Sequence, residues 1–583
     1  MTRTHAGSLR KENQNQTVLL NGWVQKRRDF GDLIFIDLRD RSGVVQVVVD
    51  RGRGASDETV TRAKELRSEF VVRIEGNVVE RADAQKNAKL ATGDVEVVAT
   101  AIEILNRADT TPFPIDDDTD AAEELRLQYR YLDIRRPTLT RNLLLRHKLV
   151  FGTRNYFDRL GFLEVETPIL TKSTPEGARD YLVPSRVHKG QFYALPQSPQ
   201  IFKQLCMVAG LERYFQIARC FRDEDLRRDR QPEFTQIDVE ASFIDEEFIY
   251  SLIEGLFAEI FPIANIPVTT PFPRMTWQEA MDRFGIDRPD TRFGMELIDI
   301  SEVAKSIAFD PFQSAATIRA IVVPGGASFS RKRIDELTEE AKKFGASGLV
   351  WMKFDAQRGA SIKKFLDDAS FDALRNALRA NENDLALIVA GKNTTVWDVL
   401  ANLRLKLGRE EKLIPPETWH FLWVTDFPVY EWDEESGRYF ARHHPFTSPR
   451  PEHLDLLETN PGAALARAYD VVLNGLELGG GSIRINQPEV QERMFRALGI
   501  SEEDARARFG FLIDAFRYGA PPHGGIALGV DRIAMLMSRA ESLRDVIAFP
   551  KTARAQDLMC DAPSEVDTKQ LDELGVGVKR VGG

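Results

Sequence analysis

Short runs of apolar and β-branched residues, separated by turn residues, fill the first hundred positions of the chain. Five strands are predicted by these runs, at residues 17–24, 33–38, 44–49, 70–78 and 94–99. A helical pattern at 57–67 falls between the third and the fourth strand. Five strands with a helix in that gap are typical of the small OB barrel, whose second and third strands commonly present a face to single-stranded nucleic acid. The pattern therefore predicts an OB barrel over residues 1–108.

Residues 109–122 break this alternation. Pro112 and Pro114 stiffen the segment, and an acidic run at 116–118 follows them. Prolines and like charges in a stretch without periodicity are typical of a linker. We therefore predict that the barrel ends here.

The region from 123 onward predicts a second core. A helix is predicted over about 140–160, followed by an apolar strand at 162–170 that Pro168 ends or kinks. Residues 214–222 and 234–243 alternate with period two and are joined by a charged loop. This pattern predicts an antiparallel pair of strands with a mobile loop.

A mixed α/β pattern over 290–412 interrupts the second core before an apolar strand at 421–430. We interpret this pattern as an inserted domain that divides a larger domain into residues 123–289 and 413–583. The predicted fold class is therefore multidomain α+β. It comprises a five-stranded OB β-barrel, an antiparallel-sheet domain with helices, and an inserted α/β domain.

Composition narrows the class of protein. The chain has 583 residues, of which 43% are hydrophobic, enough for roughly three or four domain cores. Cys206, Cys220 and Cys560 are too few and too scattered for a disulfide framework or a zinc site. The sequence contains neither an apolar leader nor a run long enough to cross a bilayer. We expect a soluble, cytoplasmic protein that has no membrane partner.

The net charge of the chain is −11. Overall acidity argues against indiscriminate binding to nucleic acid, and we expect no DNA partner. Because the first 108 residues carry slightly more basic than acidic side chains, a local basic patch is still compatible with the composition.

Polar side chains share one face of the predicted strand pair. Gln216 and Arg222 fall on even positions of the first strand, and Gln236, Asp238 and Glu240 on even positions of the second. Such faces on a central antiparallel sheet are either exposed to solvent or line a polar site. Arg222, beside the charged loop, suits an α-phosphate.

A hairpin is predicted at Asn474-Gly475, which is a strong two-residue turn signal. A tight turn there would pair Val472 with Glu477 and Asp470 with Gly479, so that Asp470 and Glu477 become diagonal neighbours on one face. Two adjacent carboxylates repel unless a cation separates them, and oxygen ligands beside phosphate favour Mg²⁺. The alternative is a solvated hairpin with ordinary surface acids.

A glycine-rich corner precedes a predicted helix in the run GGIALGVDR, at 524–532. Glycine permits close backbone approach, a helix N-terminus attracts anions, and the guanidinium of Arg532 can stack on a base or bind phosphate. By itself the run is equally compatible with a glycine-cornered helix that carries a surface arginine.

Longer segments place these residues in a known context. Three motifs are present: GFLEVETP at 161–168, FRDED with RQPEFTQID at 221–238, and GIALGVDR at 525–532. Between them stand STPEGARDY at 173–181, QSPQIFKQ at 197–204, HHPFTSP at 443–449 and GGGSIRI at 479–485. With these motifs the chain resembles the class II aminoacyl-tRNA synthetases that carry an N-terminal OB domain, in particular the bacterial-type aspartyl-tRNA synthetases.

The resemblance implies the class II antiparallel catalytic sheet, with ATP, L-aspartate and tRNA(Asp) as substrates and Mg²⁺ as cofactor. It also implies a homodimer whose interface includes the first motif around Pro168. Arg222 and Arg532 are the implied catalytic residues, because together they would clamp ATP. The implied Mg²⁺ ligands are Asp470 and Glu477.

The resemblance also assigns the two substrate pockets residue by residue. The implied ATP contacts are Arg222, Asp223, Glu224, Gln231, Glu477, Gly529, Val530, Asp531 and Arg532. The implied aspartate contacts are Glu176, Gln200, Lys203, Arg222, Asp238, His443 and Arg484. In this assignment Lys203 and Arg484 face the β-carboxylate, and Asp238 fixes one of these cations.

The resemblance further implies that the barrel binds the anticodon. Phe35 would stack a base, Gln46 would hydrogen-bond one, and Lys26, Arg27 and Arg28 would meet phosphates and base edges. The predicted anticodon contacts are thus Arg28, Phe35 and Gln46. For Phe35 the alternative is packing in the barrel core.

Three rival functions share parts of this pattern. Asparaginyl- and lysyl-tRNA synthetases have the same barrel and motifs, but two cations such as Lys203 and Arg484 suit a carboxylate substrate. A tRNA-independent aspartate–ammonia ligase is disfavoured by the barrel. A non-catalytic relative would have lost one of its phosphate-binding residues, all of which are present here.

Charging of tRNA(Asn) is a separate question. Non-discriminating bacterial-type members tend to have His at the position of Phe30, so Phe30 favours an enzyme that discriminates for tRNA(Asp). The alternative is an enzyme that also charges tRNA(Asn).

Overall fold

A computed structural model describes residues 2–174, 178–224 and 230–579. These residues form two compact units. The first contains residues 2–147, 230–231 and 540–565, and the second contains the remaining described residues.

A closed barrel forms the N-terminal part of the first unit. Its elements are β1 (Arg3–Thr4), β2 (Thr17–Asp29), β3 (Leu33–Asp40), β4 (Gly43–Asp50), α1 (Asp57–Glu65), β5 (Val71–Glu80) and β6 (Val95–Asn106). The strand order is β1-β2-β3-β4-β6-β5, and pairing of β2 with β5 closes the sheet. Alternate side chains such as Leu20, Ile34 and Ile74 fill the interior. The predicted OB barrel is confirmed.

The last strand of the barrel is longer than its sequence pattern indicates. The pattern predicts residues 94–99, whereas β6 continues to Asn106 and pairs with β5 along its length. A bulge leaves Thr100 without a paired residue, because Ala99 pairs with Gly76 and Ala101 with Glu75. Because a bulge shifts the inward–outward alternation of side chains by one residue, the period-two sequence pattern stops before the strand itself ends.

Buried ionic contacts continue the first unit beyond the barrel. The helices that follow are α2 (Glu123–Gln128), α3 (Arg130–Asp133) and α4 (Pro137–Arg159), whose last turns belong to the second unit. Glu69 accepts hydrogen bonds from Arg39 of β3, at 2.7 and 2.9 Å, and from Arg135 at 2.8 Å. The guanidinium of Arg130 donates to the Ala548 carbonyl at 2.9 Å.

The second unit is built on an eight-stranded sheet. Elements up to residue 284 are β7 (Leu163–Glu164), β8 (Leu182–Pro184), β9 (Phe192–Ala194), α5 (Gln200–Val208), β10 (Arg213–Phe221), β11 (Glu233–Ser242), α6 (Glu246–Ile260), β12 (Arg274–Thr276) and α7 (Trp277–Phe284). The predicted antiparallel pair is β10 and β11, in which Gln216 pairs with Asp238. The apolar strand predicted at 162–170 is present only as the two-residue β7.

An inserted α/β region follows within the same unit. Its elements are β13 (Ile298–Asp299), α8 (Ser301–Lys305), α9 (Asp310–Ser314), β14 (Thr317–Val323), α10 (Arg331–Lys343), β15 (Val350–Lys353), α11 (Asp368–Leu378), β16 (Leu385–Gly391) and α12 (Asn393–Glu410). The four strands form their own antiparallel sheet, in the order β13-β14-β16-β15. Alternate residues of β14, such as Ile318 and Ile321, enter separate hydrophobic clusters on its two faces.

The C-terminal part returns to the large sheet. Its elements are β17 (Phe421–Thr425), β18 (Tyr430–Asp433), β19 (Arg438–Ala441), α13 (Leu456–Thr459), β20 (Ala468–Leu473), β21 (Leu476–Ile483), α14 (Pro488–Ala497), α15 (Glu502–Phe516), β22 (His523–Gly529), α16 (Val530–Ser538) and α17 (Thr568–Leu574). The large sheet has the order β12-β17-β20-β21-β22-β11-β10-β7 and is antiparallel except at its two edges. Strands β21, β22 and β11 therefore lie side by side at its centre.

The strand predicted at 421–430 is wrong as a single element. Asp426 adopts φ +58, a left-handed conformation that a strand does not accommodate, and Pro428 lacks a backbone donor. The segment therefore divides into β17 and β18.

Among the helices of the described residues, none combines the length and the hydropathy that a membrane crossing requires.

Candidate active site

A polar cavity of about 270 Å³ opens over the centre of the large sheet. Its lining residues are Ala178, Gln197, Ser198, Gln200, Lys203, Arg222, Glu224, Gln236, Asp238, His443, His444, Gly480, Gly481, Arg484 and Ala527. The cavity thus joins side chains from α5 and β11 with glycines of β21, with Arg484 just after that strand, and with the segment around His443. It contains most of the residues predicted for aspartate.

Two cations and two carboxylates alternate at the base of this cavity. Arg484 donates to Glu240 through Nε at 2.8 Å and through Nη2 at 3.1 Å. Lys203 Nζ lies 3.1 Å from Asp238 Oδ1 and 3.4 Å from Glu240 Oε2. All four side chains are almost fully buried. Because buried charges are stable only when paired, these four groups stabilise one another.

The two carboxylates respond differently to burial. Burial raises the pKa of Asp238, and repulsion from Glu240 adds to this effect against the attraction of Lys203. Burial also raises the pKa of Glu240, but Arg484 and Lys203 more than offset it, so its pKa lies below the ordinary value. Glu240 is therefore the more firmly ionised member.

His444 and Ser482 complete the surroundings of Arg484. Its Nη1 lies 2.7 Å from His444 Nε2 and donates to Ser482 Oγ at 2.7 Å. Burial lowers the pKa of His444 well below its ordinary value, and the positive charge of Arg484 lowers it further. His444 is therefore neutral and can accept a hydrogen bond from the arginine.

Several buried polar atoms at the cavity have no hydrogen-bond partner among the described residues. They are Asp238 Oδ2, Gln200 Nε2 and His443 Nε2. Buried polar groups are normally paired, so unpaired donors and acceptors at a cavity indicate a ligand that supplies both. A zwitterionic amino acid has this property.

Glycines let the strands approach closely enough to form this base. Gly525 of β22 pairs with Glu240 of β11. A β-carbon at Gly525 would collide with the Glu240 carboxylate, and one at Gly481 would collide with the Gly525 carbonyl. The absence of side chains here leaves room for the carboxylate that holds Arg484.

Arg222 stands just beyond the end of β10. Its backbone N–H donates to the Pro232 carbonyl at 2.9 Å, and its guanidinium lies 5.1 Å from the centre of the Phe234 ring. Asp223, beside it, forms a backbone bridge and a 3.7 Å ion pair with Arg179. Arg222 and Glu224 line the cavity, whereas Asp223 is not among its lining residues.

The hairpin at Asn474-Gly475 is present with one correction to its register. Val472 pairs with Glu477 as predicted, but Asp470 pairs with Gly480 rather than with Gly479. A bulge in β21 leaves Leu478 unpaired, and the sequence pattern contains no sign of it. Asp470 and Glu477 are nevertheless close enough to interact electrostatically.

This carboxylate pair fits a divalent cation. Burial raises the pKa of Asp470 well above its ordinary value, and repulsion from Glu477 raises it further. Asp470 Oδ1 is buried without a hydrogen-bond partner among the described residues. The described residues contain no group of three metal-ligating side chains. A cation here would take its other ligands from phosphate or water, as Mg²⁺ commonly does.

The corner at 529–532 connects to the same hairpin. Gly529 ends β22 and α16 begins at the next residue. Arg532 Nη1 donates to the Glu477 carbonyl at 3.0 Å and lies 3.9 Å from Glu477 Oε2. Val530 and Asp531 are buried, and Asp531 accepts a hydrogen bond from the Thr235 N–H at 2.9 Å. Arg532 is thus directed to the carboxylate pair, while Asp531 secures β11.

The two predicted contacts not yet described are Gln231 and Glu176. Gln231 is part of the first unit, where its side-chain amide accepts from the Lys551 N–H at 2.9 Å and donates to the Lys551 carbonyl at 3.2 Å. Its role towards ATP stays a prediction. Glu176 lies outside the described residues.

The predicted anticodon residues cluster on the outer face of the barrel. Arg28 donates to Gln46 Oε1 at 3.3 Å, and its guanidinium lies 5.6 Å from the Phe35 ring centre. Phe35 also contacts Phe30 edge-on at 6.1 Å, and Phe30 is 70% exposed. Because Ile34 and Ile36 occupy the core, Phe35 lies on the opposite face of β3. Core packing of Phe35 is therefore excluded.

Sequence reasoning missed several residues around the cavity. The sequence pattern places Glu240 on the polar face but does not pair it with Arg484, it does not indicate the contact between His444 and Arg484, and it assigns no role to Ser482. The available signals were the period-two alternation of β11 and the two-residue spacing of Ser482 and Arg484. For His444 the sequence offered no signal that separated it from His443.

Comparisons with known proteins agree with this geometry. The family described as tRNA synthetases class II (D, K and N) matches residues 122–553, and the OB-fold nucleic acid binding domain matches residues 18–105. Fold and site together define a class II tRNA synthetase. Aspartate–tRNA ligase of Geobacillus kaustophilus is 56% identical over 99% of both chains. Aspartate–tRNA(Asp/Asn) ligase of Bacillus cereus is 56% identical over 98% of both. The chain belongs to the aspartate–tRNA ligase family.

Solved structures show the same fold. The asparaginyl-tRNA synthetase of Pyrococcus horikoshii, complexed with asparaginyl-adenylate, superposes with a TM-score of 0.60 at 20% identity. The match covers 95% of this chain and 98% of that one. The aspartyl tRNA synthetase of Entamoeba histolytica gives 0.59 at 18% identity, over 94% and 91% of the two chains.

Proposed function

We propose that this protein activates L-aspartate with ATP and transfers it to the 3′ end of tRNA(Asp). Activation yields aspartyl-adenylate and pyrophosphate, and transfer releases AMP. The observation that carries the amino-acid assignment is the buried pair of cations, Lys203 and Arg484, at the base of a polar cavity.

Charge explains the choice of amino acid. The β-carboxylate of aspartate would face the cationic ends of Lys203 and Arg484. The side chain of asparagine would instead direct NH₂ donors towards guanidinium donors. A site built for one hydrogen-bonding group rejects the mismatched one by about 10⁴-fold. Because two cations suit a carboxylate side chain, both asparagine and lysine are disfavoured as substrates.

No side-chain nucleophile is needed for activation, because the substrate α-carboxylate attacks the α-phosphate of ATP. Arg222 would hold the α-phosphate, and Arg532 would bind the nucleotide beside the Asp470–Glu477 pair. When bound there, Mg²⁺ neutralises phosphate charge. The contribution of the chain is positioning and electrostatic stabilisation.

The barrel supplies the tRNA specificity in this proposal. Phe35 would stack an anticodon base beside Arg28 and Gln46, and the exposed Phe30 lies next to Phe35. We propose an enzyme that discriminates for tRNA(Asp). Some relatives are named aspartate–tRNA ligase and others aspartate–tRNA(Asp/Asn) ligase, so the alternative, an enzyme that also charges tRNA(Asn), is represented among them.

A homodimer in the cytoplasm is the proposed working form. Exposed apolar side chains around the first motif support an interface there, since Leu163, Ile169 and Leu170 are 50%, 41% and 52% exposed. Three free cysteines fit a reducing compartment. Sedimentation velocity measures the oligomeric state, and a monomer at micromolar concentration contradicts the dimer.

Amino-acid-dependent ATP–pyrophosphate exchange tests the activity. We expect exchange with aspartate without added tRNA, and none with asparagine or lysine. Exchange driven by asparagine would overturn the pocket assignment.

Parallel charging of purified tRNA(Asp) and tRNA(Asn) tests the discrimination. We expect Phe30→His to increase the charging of tRNA(Asn) relative to tRNA(Asp). Efficient charging of both by the wild-type protein would contradict a discriminating enzyme.

A further inference from the structure

A short loop before the inserted region lies against the carboxylate hairpin. Asp287 pairs with Arg442 at 2.9 Å, and Arg442 directly precedes the cavity residue His443. Three residues further along, Asp290 packs on the hairpin turn, where a β-carbon built on Gly475 would lie 3.1 Å from Asp290 Cβ. The loop is thus attached on both sides of Arg288.

Further contacts fix the loop in this position. Asp290 accepts a fork from Arg292 at 2.9 and 2.7 Å. Thr291 Oγ1 lies 3.3 Å from His420 Nδ1, and the His420 N–H donates to Asn474 of the hairpin turn at 2.9 Å. The loop and the hairpin are therefore connected by hydrogen bonds as well as by packing.

The inserted region holds the loop from the other side. Arg404 of α12 is 1% exposed and donates to the carbonyls of Asp290 at 3.0 Å and Phe293 at 2.7 Å. Its guanidinium also lies 4.0 Å from the Phe293 ring centre. A buried arginine that satisfies several carbonyls stabilises one loop conformation.

These contacts fix the position of the loop residue Arg288 beside the hairpin. Arg288 is exposed and makes no hydrogen bond or ion pair with the described residues. Pro289 restricts its backbone to extended conformations. Arg288 is close enough to Asp470 to interact with it electrostatically. Arg288 is therefore a cation beside the Asp470–Glu477 pair that has no carboxylate partner of its own among the described residues. Such a cation is suited to bind a polyanion that the carboxylate pair holds through a metal ion.

We propose that Arg288 binds the β- and γ-phosphates of ATP and the pyrophosphate that leaves, and that the inserted region positions it through Arg404. This inference rests on the proposed function. It adds a third arginine, from outside the three motifs, to Arg222 and Arg532. Its role ends when pyrophosphate dissociates, so the transfer of aspartate to tRNA does not depend on it.

Three variants test this role. Arg288→Ala removes the charge, Arg288→Lys retains it, and Arg409→Ala removes an exposed arginine of the same inserted region that makes no ion pair with the described residues. Isothermal titration calorimetry with inorganic pyrophosphate and Mg²⁺ measures binding directly. We expect about 10-fold weaker binding for Arg288→Ala, since one charge-assisted contact is lost. Arg288→Lys should stay within about 3-fold, and Arg409→Ala should be unchanged.

Kinetics separate the two half-reactions. In Arg288→Ala, the KM for pyrophosphate and for ATP should rise by about 10-fold in the exchange assay. Single-turnover transfer from enzyme-bound aspartyl-adenylate to tRNA should be unchanged. Unaltered pyrophosphate binding and KM in Arg288→Ala, or an equal loss in Arg409→Ala, would overturn the inference. A wild-type protein without aspartate-dependent exchange would instead contradict the proposed function, while the calorimetry would still report on Arg288.

Discussion

Glu240 holds Arg484 through two hydrogen bonds in the interior of the large sheet, at 2.8 and 3.1 Å. Glu240 also lies 3.4 Å from Lys203. One carboxylate therefore orients both cations that the amino-acid assignment depends on. Its replacement affects the stability of the sheet as well as the substrate pocket.

Glu240→Gln should destabilise the protein strongly. The change keeps the shape of the side chain but leaves Arg484 buried without its anion, which costs about 3–5 kcal/mol. The thermal unfolding midpoint should fall by several degrees. The control is Glu434→Gln, because Glu434 is 72% exposed in its pair with Lys392 and should contribute little. Equal midpoints for the two variants would show that the buried pair is not stabilising.

Arg484→Lys should impair use of aspartate. Lysine retains the positive charge but cannot form the planar fork, so about 3 kcal/mol of charge-assisted hydrogen bonding is lost. We expect kcat/KM for aspartate in ATP–pyrophosphate exchange to fall by about 10²-fold. Arg467→Lys is the matched control, since Arg467 forms a similar fork with Glu246 at 2.8 and 2.7 Å outside the cavity. A comparable loss in the control would remove the assignment.

Gly480→Ala should weaken Mg²⁺ binding. A β-carbon at Gly480 would collide with Asp470 Oδ1 and displace this carboxylate from Glu477. The Mg²⁺ concentration for half-maximal exchange should rise by about 10-fold or more, as expected for loss of one charged ligand. Gly510→Ala tests for a general effect, because a β-carbon there would meet no atom within 4 Å beyond its chain neighbours and its own helix backbone. An unchanged Mg²⁺ dependence in Gly480→Ala would argue against a metal at this pair.

Phe35→Ala should separate activation from charging. Loss of one stacked base costs about 1–3 kcal/mol of tRNA binding, whereas the amino-acid cavity belongs to the other compact unit. We expect an unchanged rate of aspartate-dependent exchange and a raised KM for tRNA(Asp) in aminoacylation. Loss of exchange in this variant would mean that the barrel is not a separate recognition module.

Stability should fall as the pH drops from about 6.5 to about 4, in part because of His443. Burial lowers the pKa of His443 to about 4. In this range the unfolded chain binds a proton that the folded chain does not, so acidification favours unfolding. The shift corresponds to at most about 3 kcal/mol, and partial exposure of the residue reduces this to about 2 kcal/mol. His443→Asn should show a smaller change in unfolding midpoint between pH 7 and pH 4.5 than the wild type. Parallel pH profiles would contradict this contribution.

Regular strands explain why much of the cavity was predictable. The period-two alternation of residues 234–243 correctly places Gln236, Asp238 and Glu240 on one face, because β11 contains no bulge. In the same way, alternation in β3 separates Phe35 from the core residues around it. Where a strand is regular, the sequence alone determines which side chains share a face.

The unpredicted features depend on irregular backbone or on long-range contacts. The bulge at Leu478 changes the partner of Asp470, and nothing in a run of glycines indicates which residue is left unpaired. Neither could the sequence distinguish His443 from His444, since the contact with Arg484 spans 40 residues. The attachment of Arg288 requires partners at positions 404, 442 and 475, which only the folded chain brings together.

The four charges at the base of the cavity have a consequence for how this family can change. Lys203 and Arg484 are each paired with a buried carboxylate, Asp238 or Glu240, so a single replacement leaves an uncompensated buried charge. A family member that changes its amino-acid substrate must therefore replace a cation and an anion together, or pass through an unstable protein variant. Substitutions at these four positions should consequently occur in compensating pairs.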